Sequence, residues 1–169
     1  MHGSVDTASQ PAGTSTAAAH PTVATSTLPA SSPSDDVLTV RSWWDPHLAT
    51  AGFEVRSEYV ERFWLGIIGP STVLLLRRFA RGLDERPDGF RVSVVDTAKA
   101  LGLGAGTGRN APIMRTIDRA CTFGLARVGA PRDVAVRTHL PELHRRQLER
   151  LPLALQRTHQ RWLQQHRGR

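Results

Sequence analysis

The sequence predicts a mainly helical α+β domain with one short β-hairpin, preceded by a polar tail. Three observations predict it. Apolar residues recur at three and four residue spacing in several stretches between 57 and 163. Gly and Pro interrupt those stretches too often for long helices. Only the short segments 90–94, 125–128 and 134–138 read as strands. The length of 169 residues, 40% of them hydrophobic, provides for one real core. The single cysteine, Cys121, excludes an internal disulfide and a Cys-based zinc site.

Residues 1–40 contain no Lys or Arg, three acidic residues and mostly Ser, Thr, Ala and Pro. Such a composition cannot offset the conformational entropy lost on folding, so a disordered tail is expected here. The tail also lacks the positive start and the apolar stretch of about 7 to 15 residues that a secretory signal needs, and a cytoplasmic location is expected. Residues 41–169, the expected folded domain, carry all 22 basic side chains against 12 acidic ones.

Within that domain, 57–67 reads as a short helix with Tyr59, Phe63 and Ile67 on one face, stopping at Gly69. A second helix over 70–83 starts at Pro70, which suits a first turn, and buries Leu75, Leu76, Phe79 and Leu83. Pro87, Asp88 and Gly89 make a turn, and 90–94 alternates as a short strand. Asp96 is the expected cap of a helix over 97–103, which the glycines at 102, 104, 106 and 108 end. Asn110 is the expected cap of the next helix, 110–123, with Pro112 in its first turn, Ile113, Ile117, Ala120 and Cys121 inward, and Gly124 as its stop.

Residues 125–128 and 134–138 then pair as a hairpin through a loop containing Gly129 and Pro131. The extension 142–167 holds leucines at 143, 148, 151 and 155 and is split by Pro152 into two helices. These helices are expected either to form a homodimer contact or to pack on the helices at 57–83, with Trp43, Trp44 and Phe53 covering the same core.

Helix, strand, helix, turn, helix and hairpin is an order that resembles the winged helix-turn-helix superfamily, over a motif core of about 71–139. Residues 95–102, VDTAKALG, are similar to the first helix of the motif, and 110–123 to its recognition helix. The segment FWLGIIGP at 63–70 is similar to the stretch opening the winged-helix domains of some bacterial replication-initiation proteins. The eight residues 102–109, four of them glycine, are longer than the usual three or four residue turn. The resemblance implies a winged helix-turn-helix fold with helical additions at both ends, sequence-specific binding of double-stranded DNA, a regulator's role and a homodimer.

Under that resemblance the second motif helix enters the major groove and the hairpin meets phosphates. Arg115 and Arg119 lie four apart on one helical face, bordered by Thr116 and Thr122, and are the expected base contacts. Arg109 and Asn110 stand at the helix start, where free amides favour a phosphate. Arg127, Arg132 and Arg137 on the hairpin are expected to hold the backbone. The rival reading is a protein-interaction module of a replication or partition assembly, in which the basic charge is incidental.

Other chemistries lack their residues. GLGAGTGR at 102–109 fails the glycine spacing of a dinucleotide fingerprint and has no Gly-Lys-Ser or Gly-Lys-Thr ending, so no nucleotide is expected. The histidines at 139, 144, 159 and 166 lack the compact spacing of zinc ligands, and no metal or other cofactor is expected. No HExxH or nucleophile elbow points to an enzyme. The apolar run 63–76 is shorter than the roughly 20 residues that span a bilayer.

Overall fold

The structure is a computed structural model describing residues 36–129 and 132–166. The disorder expected of 1–35, the hairpin tip at Ala130 and Pro131, and the end of the C-terminal extension at 167 lie outside the described residues. The rest is a mixed α+β fold with one hydrophobic core.

The chain enters as a strand, β1 (Val37–Ser42), followed by helix α1 (Pro46–Ala51) and strand β2 (Phe53–Glu54). A helix then begins at Glu58, passes through a π turn over Val60–Trp64 and continues as α2 (Leu65–Ile68). Gly69 separates α2 from the longest helix, α3 (Pro70–Glu85). Strand β3 (Phe90–Ser93) leads directly into α4 (Val94–Ala100), and a loop precedes α5 (Pro112–Thr122). Strands β4 (Ala126–Val128), β5 (Asp133–Val136) and β6 (His139–Leu140) follow, then α6 (Arg145–Leu148) and α7 (Leu153–His166).

The boundary placed at residue 40 falls inside β1, so residues 36–40 belong to the fold and not to a tail. β1 lies at the centre of a four-stranded sheet of order β3-β1-β5-β4. It runs antiparallel to β3, with Val40 opposite Phe90, and parallel to β5, with Val40 opposite Val134. Leu38 and Val40 point into the core, the alternation a strand buried on one face requires. The strand at 90–93 therefore does not meet the hairpin directly, because β1 separates them. A second small sheet pairs β2 with β6.

Two helix ends use glycine in one way. At the end of α4, Leu103 N–H donates to Ala98 O and Gly102 N–H to Lys99 O, with Gly102 at φ 68°. At the end of α5, Leu125 N–H donates to Ala120 O and Gly124 N–H to Cys121 O, with Gly124 at φ 67°. Both are Schellman ends, which need a left-handed residue that glycine adopts without a Cβ penalty. The caps at the other ends differ from expectation. Ser93, not Asp96, caps α4, its Oγ accepting from Asp96 N at 3.1 Å. Ala111, not Asn110, is the N-cap of α5, and no side chain caps it.

The C-terminal helix closes the core from outside. His159 of α7 is 1% exposed and its Nε2 lies 2.8 Å from Tyr59 Oη, which also accepts from Leu143 N at 2.9 Å. Phe53 stacks on Tyr59 at 3.6 Å between ring centroids, and Trp162 meets both rings edge-on or tilted. The expected packing of this extension on the helix at 57–67 is present. Trp44, expected to cover the core, is 66% exposed.

Candidate nucleic-acid interface

Helix α5 packs Ile113, Thr116, Ile117 and Ala120 against the core. Its opposite side, from Pro112 through Arg115, Asp118, Arg119 and Thr122, is exposed. The Arg115 side chain makes no hydrogen bond or ion pair among the described residues. Thr122 Oγ1 donates back to Asp118 O at 2.9 Å and leaves its lone pairs outward. Arg109 and Asn110 are exposed in the loop before the helix, and Arg109 has no partner among the described residues. The first turn of α5 holds no acidic residue and no capping side chain, so its leading amides are open to an anion.

Three of the expected contacts are committed elsewhere. Thr116 is 7% exposed and its hydroxyl donates to Pro112 O at 2.8 Å, so it faces the core and not a groove. Arg119 donates to Ile67 O at 2.7 Å, satisfying a carbonyl left open at the end of α2, and lies over the Phe123 ring. Arg137 is the most occupied. It pairs with Asp45 at 2.6 Å, donates from Nε to Gly124 O at 3.0 Å, and stacks 3.8 Å from the Trp43 ring. It clasps the N-terminal segment to the end of α5. The guanidinium bond, aided by the amides of Leu48 and His47, holds the Asp45 carboxyl below the usual carboxylate range.

On the hairpin, Arg127 is exposed on β4 and also lies over Trp43, 4.8 Å from the ring centroid, without an ion pair among the described residues. Arg132 is half-buried, has a left-handed backbone at φ 67°, and its carbonyl accepts from Thr39 N. Arg109, Asn110, Arg115, Thr122 and Arg127 thus remain exposed.

No known family, curated protein or solved structure matches this chain. The geometry of its own residues therefore carries the reading. Among the described residues no cluster of three His, Cys, Asp or Glu is placed to hold a metal. No described helix is long and apolar enough to cross a membrane. Burial, with Asp118 nearby, pushes the Cys121 thiol up, which lowers its thiolate fraction and its reactivity.

Across from α5, the first turn of α3 brings Ser71 and Thr72 into a cleft of about 370 Å³ shared with Leu103, Pro112, Arg115 and Arg119. The signal was present as Gly-Pro-Ser-Thr opening a helix with no acidic residue in its first turn.

Proposed function

We propose that the chain binds double-stranded DNA in a sequence-specific way, as a small transcriptional regulator built on a winged-helix variant. In this reading α4 and α5 are the helix pair, α5 enters the major groove, and the β4–β5 hairpin is the wing. The added strand β1 widens the sheet behind the wing. The observation that carries the reading is the outward side of α5, where Arg115 and Thr122 stand exposed, flanked by Arg109 before the helix and Arg127 on the hairpin.

Arg115 and Thr122 then read base edges, and Arg109 and Arg127 hold phosphates. Arg119, Thr116 and Arg137 support the interface by fixing α5 and the hairpin. The test begins with selection of bound duplexes from a random pool, followed by affinity measurements on the selected and a scrambled site. Arg115→Ala should weaken the selected site by about 1 to 3 kcal/mol more than the scrambled one. Arg127→Ala should weaken both alike. Equal losses from the two variants would remove base reading from Arg115, and failure of any duplex to bind would sink the proposal.

A further inference from the structure

We propose that the cleft between the first turn of α3 and the exposed side of α5 is a phosphate-binding site, using the backbone of Ser71 and Thr72. It is distinct from the phosphate contacts expected at Arg109 and Arg127, and it does not rest on how α5 reads DNA.

The argument starts from the helix start. Gly69 is the N-cap of α3 and offers no side chain to the leading amides, Pro70 at the first position has none to offer, and the first turn holds no acidic residue. Val73 N–H donates to Gly69 O at 3.2 Å and is the first amide in the helical pattern, which leaves the N–H groups of Ser71 and Thr72 open. In a 16-residue helix these amides also lie at the positive end of the dipole.

A second, independent observation points to a ligand. Thr72 is 2% exposed and lines the cleft, and its hydroxyl has no hydrogen-bond partner among the described residues. The hydroxyl oxygen keeps a small opening to solvent, so water is its alternative partner and an oxygen of a bound anion would take that water's place. Two cations border the same cleft. Arg119 is held in place by its bond to Ile67 O and retains further guanidinium donors, and Arg115 is unpaired. Among the described residues no Asp or Glu lines the cleft. Open amides, an unpartnered hydroxyl and two guanidinium groups, that of Arg119 anchored, with no described carboxylate opposing them, suit a tetrahedral oxyanion. A backbone phosphodiester of DNA and a free phosphate share that chemistry.

The full-length protein is titrated with inorganic phosphate against sodium chloride at constant ionic strength, following backbone amide resonances by NMR. Ser71 and Thr72 should shift with phosphate and not with chloride. Ser71→Asp places a carboxylate at the helix start, which should leave the melting temperature unchanged or raise it while abolishing the phosphate response. Thr72→Val, which keeps the shape and removes the hydroxyl, should weaken the response about tenfold. A chloride response equal to that of phosphate, or a Ser71→Asp protein that still responds, overturns the site. Once phosphate binds, DNA separates its sources. If Ser71→Asp also lowers duplex affinity at low salt, the ligand is a backbone phosphate. If duplex affinity is unchanged, or no duplex binds, it is a free phosphate or phosphate ester, and the site stands without the DNA reading.

Discussion

Position on the helix, more than residue type, decides which side chains are free. Thr116 is polar, which suggests an outward position, yet it is three residues after Ile113 and one before Ile117, on the buried stripe. Its donation to Pro112 O makes that burial tolerable. That correction was available from spacing alone. The role of Arg137 was not, because its partner Asp45 is 92 residues away. The Asp45–Arg137 pair also sets a pH dependence. The folded state lowers the Asp45 pKa, so its contribution to stability is complete above the unfolded value near pH 4 and is lost as pH falls through the lower folded value. Asp45→Asn should therefore lower the melting temperature at pH 6, and its deficit relative to the native chain should shrink toward pH 2.5. Melting curves from pH 2.5 to 6 check this, and a deficit constant across that range would count against the pair.

Helices were legible because their punctuation is local. Pro70 and Pro112 open α3 and α5 as expected, Gly124 closes α5, and Pro152 separates α6 from α7. Strand β1 is hidden in the sequence although Val37, Leu38, Thr39 and Val40 are good strand formers, because they directly follow a long run biased to Ser, Thr, Ala and Pro. Its central place in the sheet depends on pairing with residues 50 and 94 positions further on, which no local pattern encodes. The expected consequence can be measured. Val40 is fully buried between β3 and β5, so Val40→Ala should cost about 2 to 3 kcal/mol from two lost methyl groups and the cavity left. Val37, half-buried near the strand's start, should cost under about 1 kcal/mol in the same substitution. Denaturant midpoints for the two variants decide it. If Val40→Ala is as silent as a change in a disordered tail, the central strand is wrong.

Across the molecule the charge is uneven in a way that bears on DNA binding. Residues 41–108 hold nine basic and eight acidic side chains, and many are matched, as in Arg56 with Glu54 and Asp84, Arg62 with Glu58, and Arg77 with Glu61. Residues 109–169 hold 13 basic and four acidic side chains. Of those four acids, Asp133 pairs with Arg41 of β1 and Glu149 with its neighbour Arg145, so most cations on this side have no acidic counterpart nearby. That excess makes a positive field over α5, the hairpin and α7, although the apolar side of α7 is taken up by Phe53, Tyr59 and Phe63 of its own chain. The number of cations that touch phosphate can be counted from salt dependence, because each neutralised phosphate contributes about −0.9 to the slope of log affinity against log salt. Arg109 and Arg127, the phosphate contacts on one copy, predict a slope of about −2, and two copies on a palindromic site about −4. Fluorescence anisotropy between 50 and 300 mM salt measures it, with Arg127→Ala expected to reduce the slope by about 1 per copy. A slope flatter than about −1 would mean that these arginines face solvent in the complex, and the surface over α5 would then belong to a partner of a different kind.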